Sequence, residues 1–414
     1  MSQGKRAHLS YERVVLLADS APAFRVAADH PTTTPRVISR VQDISYSFDY
    51  GGLQVKEIGS SEYIKDRTPA SATEPMKSRI PIITQPTVNV EFSYLFFDAQ
   101  NEENLGLNVD GGYLFEYTVG SYSKLYNKPD WSNLGATAEA KKGDINLYLL
   151  AQQTSERKDV VGVDNFSGNL DLIGIGNCYL SSYGISASVG SMVSCQASYN
   201  CSNICLDEYG FDALHKDVPI PAVDNKGVRS ESLVSIPKSI LQAAALDTDN
   251  SSSSLALRPG DIEIKWTNNK QNSEGGFNMI DLNPEEISVE SFEIDLSIER
   301  QDINAFGSDY IKDRKIQFPI LGQLNVGFFF RDLEKHTDGK EISKIFKDDV
   351  SMDLEIKLYS RTSLTEKVLY ATINVPDAKL LSESHNMTIG DFGKVAANFA
   401  FEAGLNSGMK IIKA

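Results

Sequence analysis

The heptapeptide Ser-Glu-Tyr-Ile-Lys-Asp-Arg at 61–67 recurs as Ser-Asp-Tyr-Ile-Lys-Asp-Arg at 308–314. A chain that repeats a segment across half its length is read first as two copies of one folding unit. A motif this short does not suffice alone, but its flanks agree. Upstream of the first copy, Ile44, Tyr46, Phe48 and Tyr50 alternate with polar residues; upstream of the second, Phe292, Ile294, Leu296 and Ile298 do the same. Alternation of period two marks strands with one buried face. Gly59-Ser60 and Gly307-Ser308 lead into the motifs, and Asn89-Val90-Glu91-Phe92 pairs with Asn325-Val326-Gly327-Phe328 beyond them. Ile145-Asn146-Leu147-Tyr148-Leu149 then resembles Met352-Asp353-Leu354-Glu355-Ile356, and Leu180 lies as far from Gly190 as Leu380 from Gly390.

These matches predict a mainly β chain made of two tandem sandwich or barrel domains, over 36–206 and 256–414. Each is expected to carry a short flanking helix, at 136–142 and at 340–346, where good helix formers cluster. An N-terminal arm over 1–35 adds a strand or contacts a neighbour. The connector over 207–255 holds a helix at Ser239–Leu246 and a polar linker at Asp247–Ser254. The first copy has the longer loop, Thr68 to Pro81, rich in proline and expected to be exposed.

Charge narrows the function. Forty basic residues against 56 acidic ones leave a net charge of −16, which opposes gripping nucleic acid, because that rests on neutralising phosphates with Lys and Arg. Met1 to Arg13 lacks the apolar core of a signal peptide, and no apolar run is long enough for a membrane span. A soluble protein made in a cytoplasm is expected. Four cysteines, all between Cys178 and Cys205, are too few for a secreted disulfide framework. Cys195 and Cys201 share one strand face as small buried hydrophobes.

No catalytic or cofactor constellation emerges. Gly174-Ile175-Gly176 lacks the third glycine and the helix of a dinucleotide fingerprint. Asp247, Asp249 and Ser251 open like a calcium loop, but Ser252 and Arg258 stand where glycine and glutamate are required. His8, His30, His215, His336 and His385 are scattered, outside any zinc or nucleophile motif. The repeated Tyr-Ile-Lys-Asp-Arg reads as structural rather than catalytic. Lys65, Asp66, Arg67, Lys312, Asp313 and Arg314 are expected at contacts between subunits, with Arg67 and Arg314 pairing to carboxylates of a neighbour. No enzyme, cofactor or metal is expected.

The order of a long alternating strand, a glycine turn, a basic motif, an aromatic strand and a short helix continues into Ser181-Ser182-Tyr183-Gly184-Ile185-Ser186-Ala187-Ser188-Val189-Gly190, with Asn203-Ile204 beyond. This order resembles the major tail tube proteins of long-tailed bacteriophages. The second copy departs from the motif, reading Ser384-His385-Asn386-Met387-Thr388-Ile389-Gly390.

The resemblance implies a virion protein, assembled in the host cytoplasm, whose rings stack into a tail tube. Double-stranded DNA would pass through it without specific binding, and a sheath, hub or terminator would be its further partners, with no membrane involved. A hub, initiator or terminator ring of the same fold is one alternative; a β-sandwich adhesin or carbohydrate-binding module is another. Single-domain members form sixfold rings, so a duplicated chain implies three chains with pseudo-sixfold shape, in preference to six chains with one copy outside the wall. The polar strand positions Ser45, Ser47, Asp49, Glu293, Asp295, Ser297 and Glu299 are the expected lumen face, though the same alternation fits an outer, solvated face.

Overall fold

The computed structural model describes residues 9–19, 36–49, 66–67, 78–79, 86–96, 99–115, 145–153, 169–189, 191–210, 215–224, 226–228, 233–237, 262–268, 288–304, 306–308, 310–311, 313–329, 351–361, 367–386, 394–404 and 407–413. The helices expected at 136–142, 239–246 and 340–346, the linker at 247–254, and Tyr63, Lys65 and Lys312 lie outside the described residues.

The chain is mainly β, built on a large antiparallel sheet. The first half contributes β1 (Leu9–Asp19), β2 (Arg36–Ile38), β3 (Val41–Asp49), β4 (Asp66–Arg67), β5 (Ser78–Arg79), β6 (Thr87–Leu95), α1 (Gln100–Leu105), β7 (Ile145–Gln153), β8 (Asn169–Ser188), β9 (Ser194–Cys201) and β10 (Asn203–Gly210). A hairpin of β11 (His215–Pro219) and β12 (Leu233–Pro237) follows. The second half holds β13 (Ile262–Asn268), β14 (Ser288–Ser297), β15 (Arg300–Ile303), β16 (Asp313–Ile316), β17 (Ile320–Phe329), β18 (Ser351–Arg361), β19 (Lys367–Asn386), β20 (Lys394–Ala403) and β21 (Lys410–Lys413). Alternation makes the strands: in β6, Val88, Val90, Phe92 and Tyr94 are buried while Asn89 and Glu91 are exposed.

The second half repeats the pairing scheme of the first. The first is ordered β3-β6-β9-β8-β7-β1 with β10 on β8; the second is ordered β14-β17-β20-β19-β18-β13 with β21 on β19. Ladder irregularities recur at matching places: Leu180/Ser182 and Leu380/Ser382, Ile145/Leu147 and Met352/Leu354, Val41/Asp43 and Val289/Ser291. The long strands β8 and β19 bend at equivalent residues, Asn177 (φ 54°) and Asp377 (φ 52°). Asn and Asp are the side chains that best tolerate this left-handed backbone. Below the bend each strand pairs with β7 or β18; above it, with β9 or β20. One strand thereby serves two layers of a sandwich.

Three details depart from the sequence reading. The ladders place Val90 opposite Tyr199 and Leu324 opposite Phe399, so Val90 corresponds to Leu324, two residues from the match drawn by Asn-Val. A two-residue slip leaves every side chain on its own face, so alternation could not detect it. The arm does add a strand, but that strand, β1, pairs with β7 as β13 pairs with β18, inside the first half's own sheet. The described helix, α1, follows β6 directly and is too short for a periodic signal.

The glycines of Gly174-Ile175-Gly176 have a packing role. A Cβ on Gly176 would stand 2.4 Å from the Pro221 carbonyl oxygen, and one on Gly174 would stand 3.3 Å from Pro221 Cβ. The connector therefore crosses β8 in contact with its backbone. It is pinned there by Asn203 Nδ2 donating to the Pro221 carbonyl (2.8 Å) and the Val223 amide donating to Asn177 Oδ1 (2.9 Å).

Helix α1 is fixed by polar contacts. Asn101 accepts from the Ser39 amide (3.0 Å) and donates to the Ser39 carbonyl (3.0 Å), while Asn104 donates to the Val37 carbonyl (3.0 Å). Glu102 is fully buried, and its Oε1 accepts from the hydroxyls of Tyr94 (2.8 Å) and Tyr183 (3.0 Å). Burial raises its carboxyl above the usual range, against the lowering effect of those hydrogen bonds. Replacing Glu102 by Ala strands two buried hydroxyls and should cost about 2–4 kcal/mol in urea unfolding. Glu102→Gln keeps the acceptor and should stay within about 1 kcal/mol of wild type. Because the folded state favours the protonated acid, wild-type stability falls as pH rises through the raised value. The balance should therefore shift in favour of the Gln variant as pH increases.

Candidate assembly surface

The two halves are joined by a ladder. β14 pairs antiparallel with the upper part of β8, from Ser297 opposite Ser182 to Ser291 opposite Ser188. The Ile298 amide donating to Ser181 O and the Val189 amide donating to Glu290 O, each 2.8 Å, extend it. Elsewhere between the halves, Leu114 N donates to Met409 O (3.0 Å) and Lys413 N donates to Val109 O (2.9 Å). One hydrogen-bonded sheet thus runs β3-β6-β9-β8-β14-β17-β20-β19. With β8 alongside, Phe292, Ile294 and Leu296 are at most 3% exposed, and each such burial contributes about 2 kcal/mol.

The opposite face of this sheet is polar. Ser45, Ser47, Asp49, Glu293, Asp295, Ser297 and Glu299, singled out from sequence, are all exposed. Cross-strand rows connect them through the joint: Ser45 is opposite Glu91, Glu91 opposite Ser198, Ser198 opposite Ser182, and Ser182 opposite Ser297. A second row runs Asp43, Ser93, Gln196, Gly184, Asp295, Gln323 and Ala400. A Cβ on Gly184 would stand 2.8 Å from Asp295 Oδ1, so glycine makes room for this carboxylate at the joint. Partial burial, and then the neighbouring Glu293, raise the Asp295 carboxyl above its ordinary value.

The polar face has a concavity of about 540 Å³ whose lining includes Ser186, Glu293, Asn325, Ser384 and Asn398. The residues of β8, β9, β17 and β20 on this face were missed from sequence, although the alternate polar positions Ser194, Gln196, Ser198 and Asn200 were legible.

The basic motif closes one end of the joint. Arg314 on β16 is 5% exposed. Its Nε donates to Asp302 Oδ1 (3.1 Å) on β15, and its Nη1 donates to the Asn200 carbonyl (2.7 Å) on β9 of the other half. The guanidinium also lies 5.6 Å from the Tyr179 ring centroid, and that of Arg300 lies 5.1 Å from it. The sequence reading put Arg314's carboxylate on an adjacent subunit; the structure puts it in the same chain. For Asp66, Arg67 and Asp313 the backbone alone is described: Asp66 and Arg67 form β4, which pairs with the later β5, whereas β16 pairs with the earlier β15. The equal motifs therefore sit in unequal local pairings.

Cys178, Cys195, Cys201 and Cys205 are all buried. Among the described residues no cluster of His, Cys, Asp and Glu could hold a metal ion, and no helix is long and apolar enough to cross a membrane.

No protein-family model matches the chain, and no curated protein matches it. Among solved structures it is similar to the cap of the anti-feeding prophage, a tube terminating cap, with 14% sequence identity and a TM-score of 0.25. That match covers 41% of this chain and 99% of the cap.

Replacing Arg314 by Ala removes a charge-assisted hydrogen bond across the joint and a cation from the Tyr179 ring. It should cost about 2–3 kcal/mol of unfolding free energy in a denaturant titration. The Arg314→Lys variant should recover less than half of this, since an ammonium cannot reach Asp302 and Asn200 with one planar fork.

Proposed function

We propose that this chain is a structural protein of a phage-type tail. In this reading it is a tandem duplication of one tube-type unit, assembling into rings that stack into a DNA-conducting tube. The observation that carries the reading is the continuous sheet across both halves, polar on one face and packed on the other. Each half lends it four strands, β3-β6-β9-β8 and β14-β17-β20-β19. The resemblance of the repeated motifs to tail tube proteins supports the same conclusion.

Three chains would supply about 24 strands. At about 4.8 Å spacing and about 40° tilt these close a barrel of roughly 150 Å circumference, with a bore of roughly 40 Å. Six chains in one wall would roughly double the bore. Six chains with one half outside the wall would require breaking the β8–β14 ladder. The ring of three with pseudo-sixfold shape follows. Its lumen is the polar face, whose carboxylates repel phosphate, so that DNA slides without binding.

Cryo-electron microscopy of the purified protein, reconstructed without imposed symmetry, should show rings or tubes with three chains per ring. Dispersed monomers would refute the assembly, and six chains per ring would refute the stoichiometry. In assembled tubes, Glu293→Lys with Asp295→Lys should leave rings intact while making them retain short duplex DNA, in a manner lost at high salt. Unchanged DNA passage and retention would move the lumen to another face.

A further inference from the structure

The joint inside the chain also specifies a joint between chains. Strand β3 occupies in the first half the position of β14 in the second, and β19 occupies in the second half the position of β8 in the first. β14 has β8 along its outer edge, whereas among the described strands β3 pairs with β6 alone. The burial difference is large. Tyr46 is 46% exposed and Ile44 half-buried, while their counterparts Ile294 and Phe292 are 0% and 3% exposed. On β19, the residues beyond Leu380 pair with β20 on one side, and no described strand lies on the other, the side on which β8 receives β14. Leu381 there is 61% exposed.

We infer that the occupant of both edges is a second copy of this chain, with β3 docking antiparallel on the upper part of β19 in the register of the internal joint. Translating the ladder residue by residue gives the pairs. Glu293 opposite Ser186 becomes Ser45 opposite Asn386; Ile294 opposite Ile185 becomes Tyr46 opposite His385; Asp295 opposite Gly184 becomes Ser47 opposite Ser384. The translation is fixed because ladder irregularities at Val41/Asp43 and Val289/Ser291, and at Leu180/Ser182 and Leu380/Ser382, lock the equivalent positions together. Docking in this register would bury the apolar side of β3 as β8 buries that of β14, and it would remove two sheet edges that otherwise invite indiscriminate pairing. A slip of one residue would turn Tyr46 to the polar face. This inference rests on the proposed ring and adds the strands and register that close it.

Thiols introduced at paired positions test it, because directly opposed strand residues have Cα atoms about 4.5–5.5 Å apart, within disulfide range. The four native cysteines are buried, so they do not obscure the result. The full-length chain carrying S47C and S384C should, on mild oxidation of the assembled protein, form interchain disulfides and give a ladder ending at three chains on a non-reducing gel. S45C with N386C should do the same, which guards against misfolding of either variant. The single variants should not cross-link, and S47C with S382C, out of register by two residues, should cross-link at least tenfold less. Rings in the micrographs with no cross-link at either in-register pair, or with stronger linkage at 47 and 382, would overturn the register while leaving the ring standing. Absence of both rings and cross-links would overturn the assembly itself, and a ladder ending at six would keep the register but refute three chains.

Discussion

The constraint on which the structure depends is that a sheet edge cannot be left bare. β14 presents Phe292, Ile294 and Leu296 on one side and a row of backbone donors and acceptors at its edge. Within the chain β8 meets both needs, burying the apolar residues and completing the ladder. The pairing makes one object of two units that could otherwise have folded side by side. It also sets the order of strands on either side of it, β3-β6-β9-β8 and β14-β17-β20-β19.

The bent strands make this possible. A straight strand as long as β8 could belong to only one sheet. The left-handed residues Asn177 and Asp377 let the lower portions of β8 and β19 leave the upper layer and pair with β7 and β18. The core then lies between layers, where Phe92 stacks on Tyr199 at 5.9 Å and α1 places the buried Glu102 carboxyl between two tyrosine hydroxyls. The upper portion of β8 carries β14 on its outer edge.

The polar face follows from the same period of two. Every residue directed into the core forces its neighbours outward, so the outward positions of neighbouring strands line up in rows across the joint. Small side chains dominate them, and glycine stands at Gly184 where the Asp295 carboxylate leans across the joint. Part of the acidic surplus of the whole chain is therefore displayed on this face. The cations Arg300 and Arg314 are turned onto the Tyr179 ring and main-chain carbonyls at the end of the joint.

The sequence by itself determined the main alternating strands, their inward and outward faces, the likeness of the halves and the exposure of Ser45, Ser47, Asp49, Glu293, Asp295, Ser297 and Glu299, because alternation is a local property written residue by residue; it did not reveal the β11–β12 hairpin within the connector. It could not distinguish a two-residue slip between β6 and β17, since such a slip preserves the faces. It could not place Arg314, whose partners Asn200 and Tyr179 lie more than a hundred residues away in the chain. Nor could it explain Gly174 and Gly176, which are glycines because Pro221 crosses β8 at that point. The tertiary structure alone decided that β8 and β14 are neighbours, because edge pairing is a contact between segments far apart in sequence, selected by which edges remain uncovered once each half has folded.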